Sequence, residues 1–261
     1  MEFEYSALTD VGRLRANNED AVMVDAAHGV AVLADGMGGY NAGEVASALA
    51  VDLIAGELGR WLSEAAGIAT PRDVRRAMEI CVDNANRAIF DAAHTHAAYA
   101  GMGTTLVMVV LRGDTAVVGH VGDSRAYRWR AGTLTQLTRD HSLLQEQVDI
   151  GLITPQEAAA SGNRNLVTRA LGVEDTVLLD VADTDVQPGD LFLLCSDGLN
   201  DLLTDADIAD LLADGASLDE QCRRLIDGAN QRGGRDNVSV VLAKTREPPK
   251  KSGVMAKLLR K

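Results

Sequence analysis

LADGMGGYNAGEVASALA, residues 33–50, sets an acid and four glycines between an apolar run and an amphipathic one. Gly36, Gly38, Gly39 and Gly43 are more than a simple turn needs, and Asp35 stands where the preceding strand should end. A phosphate-binding loop does not account for them. Gly38 to Gly43 fits GxxxxG, but Glu44 and Val45 follow in place of Lys and Ser/Thr, and a carboxylate there repels phosphate. The dinucleotide fingerprint also fails, because Asn41 stands at its third glycine. What remains is a backbone that must be approached closely. A glycine such as Gly36 can turn its carbonyl to a cation with no side chain in the way.

Outward from this stretch, the pattern is that of alternating blocks. Period-two or apolar runs (FEYSALT, DAVMVD, GVAVLA) precede it and predict strands. Two helices should follow. The first has Val45, Leu49 and Leu53 with Ala46, Ala50 and Ile54 on one stripe. The second is capped by Thr70 with Pro71 and Asp73, and its stripe runs Val74, Ala77, Met78, Cys81, Val82, Ala85, Ile89. Strands return at TTLVMVVLRG, TAVVGHVGD, RAYRWR and LTQLT, with RGDT and RAGT as hairpin turns. Residues 141–171 loosen into short helical pieces, including a capping box at Thr154–Glu157. TVLLDVAD and LFLLCSD read as strands joined by QPGD, then two capped helices from Thr204 and Ser217 lead to a last strand, NVSVVLAK. Strand blocks and helix pairs alternate as groups, which predicts an α+β fold with antiparallel sheets covered by helices. No repeat or linker divides residues 1–246, so one domain is expected there, with a basic tail at 247–261.

Composition removes several classes of function. The chain of 261 residues is 46% hydrophobic and 24% charged, an ordinary globular balance, and only 3% aromatic. Its net charge is −13, and the tail carries one acid and five bases, so residues 1–246 hold −17. So acidic a body is a poor polyanion binder, and nucleic acid is not an expected partner. Three scattered cysteines and no CxxC suit a reducing compartment. The N-terminus lacks a signal-peptide pattern and no apolar run reaches membrane-spanning length, so a cytoplasmic protein is expected.

Three catalytic motifs are approached and missed. Cys81 to Arg87 spells C-x5-R, but in a periodic helix whose amides are already bonded, with Cys81 on the apolar face. DTDV at Asp183 has Gln187 where an aspartyl-phosphate enzyme needs Thr or Val, and reads as a strand-end turn. GDSRA has Ala126 in place of the last glycine of GxSxG, at a strand end rather than a strand-to-helix elbow.

Acids, by contrast, recur at one kind of place. Glu19 and Asp20 enter a strand, Asp35, Asp123 and Asp197 end strands, and Asp236 enters the last one. Any one alone is an ordinary turn acid. If the ends converge, each close pair repels by about 4 kcal/mol at an effective dielectric near 20, and protons or cations must neutralise it. Oxygen ligands without Cys or His at metal spacing select Mg²⁺ or Mn²⁺ over Zn²⁺.

On the stretches TDVGRLRANNED, LADGMGGYNAGEVAS, GMGTTLV, VGDSRAY, TRDHSL, LFLLCSDGL and GGRDNVSVV, which run from about residue 5 to 242, the chain resembles the bacterial-type PPM family. These are metal-dependent serine/threonine protein phosphatases of type 2C. The resemblance implies a four-layer α-β-β-α sandwich with metals at the sheet edges. It implies that Asp35 bridges two Mg²⁺ or Mn²⁺ ions with the Gly36 carbonyl on one, and that Asp197 and Asp236 hold the other. Glu19 and Asp20 would act directly or through water, Arg15 would clamp the substrate phosphate, and Asp123 would belong to a third, weaker site. Residues 141–171 correspond to the flap beside the cleft. Two such cations lower the pKa of a shared water for in-line attack on phosphorus, with no phosphoenzyme. Met37 departs from those members that carry His after ADG as a proposed general acid, so the acid is unassigned. The implied partners are phosphorylated proteins and a cognate Ser/Thr kinase, and a monomer is expected. A catalytically silent binding module is the rival reading, but such relatives usually lose a metal acid and none is missing. Val254, Met255, Leu258 and Leu259 beside Lys257, Arg260 and Lys261 could give the tail a weak contact with a membrane or an acidic partner.

Overall fold

In the computed structural model, residues 1–39, 42–65, 67–161, 166–213 and 215–246 are described. Their strands form two antiparallel sheets. One has the order β1 (Glu2–Asp10), β11 (Val238–Arg246), β10 (Leu191–Cys195), β7 (Arg125–Arg130), β8 (Thr133–Gln136). The other runs β2 (Asp20–Asp25), β3 (Val30–Met37), β5 (Leu106–Arg112), β6 (Thr115–Val121), β9 (Asp180–Asp185), with β4 (Gly103–Thr104) on the end of β3.

Side-chain alternation explains the layering. Ala31, Leu33, Val107 and Val109 pack with Phe192, Leu194, Val241 and Ala243 between the sheets. The alternate residues Val30, Val32, Leu106, Met108 and Val110 face outward onto α1 (Ala42–Glu64) and α2 (Pro71–Thr95). On the other sheet, Leu191, Leu193, Val240 and Leu242 pack with Leu199 of α5 (Asp197–Asn200), Ile208 and Leu212 of α6 (Asp205–Leu212) and Cys222, Leu225 and Ile226 of α7 (Leu218–Gln231). The central strands are buried on both faces, which is why they read as continuous apolar runs. This is the expected α-β-β-α sandwich.

The stripe of α2 is buried as predicted, and Thr70 with Asp73 forms a full capping box. That of α1 is rotated. Its fully buried residues are Ala42, Gly43, Ala46, Ser47, Ala50, Val51, Ile54, Ala55, Leu58, Gly59 and Leu62, and Val45, Leu49 and Leu53 lie at the margin of the core. Of the predicted stripe Ala46, Ala50 and Ile54 are the buried half, and small residues beside them let this helix sit close over β3.

Three further readings change. β3 does not stop at Asp35, because β4 pairs Gly36 with Thr104 and Met37 with Gly103. Of TVLLDVAD only the second half is strand: β6 pairs β9 from His120↔Asp180 to Thr115↔Asp185, and residues 176–179 lie beyond that register. Asp183 therefore sits in a strand rather than a turn. The QPGD turn then carries the chain from one sheet to the other. In residues 141–171, α3 (Leu143–Asp149) and α4 (Pro155–Ala160) form, the latter with the predicted Thr154–Glu157 box. The tail at 247–261 lies outside the described residues. Among those described, no helix is long and apolar enough to cross a membrane.

Candidate functional site

Where the ends of β3, β6 and β10 meet the starts of β2 and β11, a cleft of about 200 Å³ opens. Arg15, Glu19, Asp35, Gly36, Asp123, Asp197 and Asp236 all line it, as the sequence predicts, with Met37, Thr105 and Asn237. Asp20 does not. It lies behind Asp35, directly opposite it across the β2–β3 ladder, and accepts a 2.8 Å hydrogen bond from Ser196.

The glycines answer to a nearer neighbour than a ligand. A Cβ on Gly36 would stand 2.1 Å from the Gly43 carbonyl oxygen and 2.6 Å from that of Glu19. One on Gly43 would stand 2.9 Å from the Glu19 carboxylate. The chain's own backbone is what comes close: α1 starts against the end of β3, and Gly36 N–H donates to the Glu19 carbonyl at 3.1 Å. A Cβ on Gly39 would meet nothing within 4 Å, so packing does not require glycine there.

A shell of neutral polar groups fixes the acids, and sequence reasoning passed over it. Asp35 N–H donates to Thr105 Oγ1 (3.1 Å), which shares a hydrogen bond with Ser124 (2.8 Å). The Asp35 carbonyl accepts from Thr105 N–H (2.8 Å) and Thr104 Oγ1 (2.9 Å). Asn237 accepts from Glu19 N–H (2.8 Å) and donates to the carbonyls of Val11 (3.0 Å) and Asn17 (2.9 Å). Ser196, which holds Asp20, accepts from Ser239 N–H (3.0 Å). The signal was available: Thr104, Thr105, Ser196 and Ser239 are buried polar side chains at the ends of apolar runs.

The electrostatics of the cleft are those of crowded anions. Burial, then the charges of Asp20, Asp197, Asp123 and Asp236, hold the Asp35 carboxyl well above the usual carboxylate range. Asp197 is held up likewise, by burial and then by Asp123, Asp201 and Asp236. Asp20 and Asp123 are each pushed up to about 6, burial being the largest cause for both. Glu19 is raised too, by burial and despite Arg15. Among the described residues the one cationic side chain in the cleft is Arg15, whose Nη2 donates to Asp236 Oδ2 at 2.7 Å.

Divalent cations fit this donor set. The side-chain donors are hard carboxylate oxygens on a fixed backbone, and Asp20 Oδ1 is buried without a hydrogen-bond partner. Among the described residues no histidine lines the cleft: His141 sits in the wall beyond Gly122. Cys81 is buried among the α2 core residues and its thiol is pushed up to about 12, so the C-x5-R spacing carries no nucleophile.

Known proteins agree with this geometry. The family model described as protein phosphatase 2C matches residues 13–234. Protein phosphatase PhpP of Streptococcus pneumoniae is 36% identical over 248 residues, covering 94% of this chain and 98% of its own. Serine/threonine phosphatase stp of Listeria welshimeri is 37% identical over 237 residues, covering 90% and 92%. Among solved structures, the Mycobacterium tuberculosis serine/threonine phosphatase PstP/Ppp superposes with a TM-score of 0.87 at 39% identity, over 95% of this chain and 100% of that one. A catalytic domain of PstP in complex with two manganese ions gives 0.82 at 37%, over 94% and 99%.

Proposed function

We infer that this chain, which belongs to the protein phosphatase 2C family, is a metal-dependent serine/threonine protein phosphatase that hydrolyses phosphoserine and phosphothreonine in proteins. The observation that carries the reading is the convergence of Asp35, Asp123, Asp197 and Asp236 on one cleft beside Arg15. In our assignment Asp35, Asp197 and Asp236 hold two Mn²⁺ or Mg²⁺ ions, with the Gly36 carbonyl as a further oxygen. Glu19 and Asp20 support them, and Asp123 serves a third, weaker site. When bound, such ions supply Lewis-acid charge and make water more acidic.

The side chains do the rest. The Arg15 guanidinium is half-exposed and held at one end by Asp236, which leaves its remaining N–H groups for phosphoryl oxygens. Thr105 and Asn237 keep the Asp35 and Glu19 backbones from moving as charge changes in the cleft. Met37 lines the cleft and cannot donate a proton, so the proton for the leaving alkoxide does not come from the position after Gly36.

The catalytic unit in this reading is residues 1–246, with 141–171 as the flap. Its substrates are phosphorylated proteins, its counterpart is a Ser/Thr kinase, and the enzyme works as a cytoplasmic monomer. Nucleic acid is not a partner, given the charge of −17 on residues 1–246. Turnover of p-nitrophenyl phosphate and of a phosphothreonine peptide, with EDTA and with added Mn²⁺, tests the assignment. Activity restored by Mn²⁺ or Mg²⁺ and lost in EDTA is expected. Full activity in EDTA would overturn the metal mechanism, and none under any condition would return the chain to a binding role.

A further inference from the structure

His120, His141 and Asp180 bring two ring nitrogens and a carboxylate oxygen within 4.8 Å of one another, the composition of a metal site. The hydrogen bonds point elsewhere. His141 Nδ1 lies 3.0 Å from the Gly122 backbone nitrogen, a group that can only donate, so Nδ1 is the unprotonated nitrogen of the ring. The proton of the neutral ring is then on Nε2, which faces Asp180 Oδ2 at 3.2 Å. Arg169 Nη1 also lies 3.1 Å from Nε2, but its hydrogens have acceptors in Asp180 Oδ1 (2.7 Å) and the Leu178 carbonyl (3.1 Å). A metal on Nε2 would need the opposite tautomer, with Nδ1–H donating to an acceptor. The two rings also stack, 4.6 Å apart and inclined by 17°, so their in-plane lone pairs do not converge on one ion. Arg169 supplies the positive charge already, donating to Asp180 Oδ1 at 2.7 Å.

What His141 does hold is the turn before Asp123. Gly122 has φ +102, and a Cβ there would meet the Thr105 side chain at 2.8 Å. His141 grips it twice: its backbone N–H donates to the Gly122 carbonyl (2.9 Å), and its ring accepts the Gly122 N–H. On its other side, the His141 carbonyl accepts from Thr168 N–H (2.9 Å), and Asp180 links its Nε2 to Arg169. Residues 166–171 are the returning arm of the flap region, and Val167 lines the same cleft as Asp123. Burial and the neighbouring His120 keep the His141 ring neutral, as acceptance at Nδ1 requires.

We propose that His141 is a positioning residue for the cation site at Asp123, tying the Gly122 turn to the returning arm of the flap through one fixed tautomer. The inference rests on the reading of Asp123 as a ligand of a weak third cation. Ordering of the flap against a substrate and the aim of the Asp123 carboxylate then share a mechanical part.

Asparagine and glutamine separate the two ring nitrogens. His141→Asn can set an amide oxygen near the Nδ1 position, whereas His141→Gln reproduces Nε2 and loses Nδ1. In the metal-free protein, long-range ¹H–¹⁵N NMR should show His141 protonated on Nε2. Hydrogen exchange at Gly122 should be slow in the wild type and in His141→Asn and fast in His141→Gln. In Mn²⁺ titrations of phosphopeptide turnover, His141→Gln should raise the half-activating concentration about tenfold, towards that of Asp123→Ala, and His141→Asn should stay near the wild type. Calorimetry should find the two tight sites unchanged in both.

The proposal falls if the wild-type ring is protonated on Nδ1, a result that needs no variant to fold. It also falls if Asn and Gln behave alike, or if Gln frees the Gly122 amide without moving the titration. If Asp123→Ala itself titrates as wild type, the reading of Asp123 as a ligand is what fails. The grip on Gly122 is then judged by exchange alone, and slow exchange in His141→Gln would overturn it.

Discussion

Removing a buried charge from the cleft should stabilise the metal-free protein while impairing the loaded one, and Asp123→Asn shows this most cleanly. Asp123 is 7% exposed, and its carboxyl is pushed up to about 6 from an ordinary 3.8, by burial and then by Asp140 and Asp201. One pKa unit corresponds to about 1.4 kcal/mol, so ionising Asp123 in the fold costs about 3 kcal/mol relative to the unfolded chain. The sign follows from proton counting. Between pH 3.8 and about 6 the folded state binds more protons than the unfolded one, so stability falls as pH rises through that window. Above it the whole penalty is present, and below it none. Asparagine keeps the shape without the charge. At pH 8 in EDTA it should therefore melt higher than the wild type by about 6 °C or more, at roughly 2 °C per kcal/mol for a domain of this size. At pH 4 the two should nearly coincide.

Differential scanning calorimetry at pH 4, 6 and 8 in EDTA reads this directly. Repeated in Mn²⁺, the order should shrink or invert, because in the proposed assignment Asp123 is a cation ligand. A melting difference that does not depend on pH would refute the electrostatic reasoning. A variant less stable than the wild type at pH 8 in EDTA would do the same.

Asp197→Asn should lower phosphopeptide turnover at least about a hundredfold, comparable to removing a key electrostatic group, and weaken Mn²⁺ binding by calorimetry. Unchanged turnover would dismiss Asp197 as a ligand. Arg15→Ala should raise KM for a phosphopeptide and lower kcat without weakening Mn²⁺ binding, since the guanidinium occupies Asp236 in the metal-free state. Weaker Mn²⁺ binding would mean that Arg15 orders the cleft instead of gripping phosphate. Away from the site, Arg130→Ala strips the fully buried Asp190 of its 2.6 Å partner and should cost about 3 kcal/mol in urea unfolding. A loss under about 1 kcal/mol would show that water reaches the carboxylate.

The site was more legible than the fold around it, for a physical reason. An acid at the end of an apolar strand breaks the local rule that strand ends near a core stay uncharged, and Asp35, Asp123, Asp197 and Asp236 break it together. Which sheet a strand joins leaves no such mark. β9 and β10 are separated by five residues that look like a hairpin turn, yet β9 pairs with β6 and β10 with β7 and β11. Periodicity reports that a strand has buried faces, not which partner covers them. The stripe of α1 is half legible on similar grounds: Ala46, Ala50 and Ile54 are buried as the pattern predicts, while Val45, Leu49 and Leu53 yield the centre to small Gly43, Ser47 and Gly59, which a hydrophobicity pattern passes over.

The glycines of LADGMGGYNAGEVASALA carry the same lesson into chemistry. Read alone, Gly36 made room for a ligand, and the structure shows it making room for Gly43 and Glu19. The two purposes are linked. Locking the Gly36 N–H, the Glu19 carbonyl and Ser47 in the first turns of α1 against one another removes the freedom by which crowded carboxylates would otherwise swing apart. Burial first, and then the charges of Asp20, Asp123 and Asp236, raise the affinity of Asp35 and Asp197 for protons, and the same crowding rewards any divalent cation that enters. A glycine that admits only backbone is thus how a site for metal can be kept open in a chain that must also fold without it. Gly36→Ala, by forcing Gly43 and Glu19 apart, should damage cation binding before it damages the sheets, a difference that calorimetry and circular dichroism on one sample would resolve.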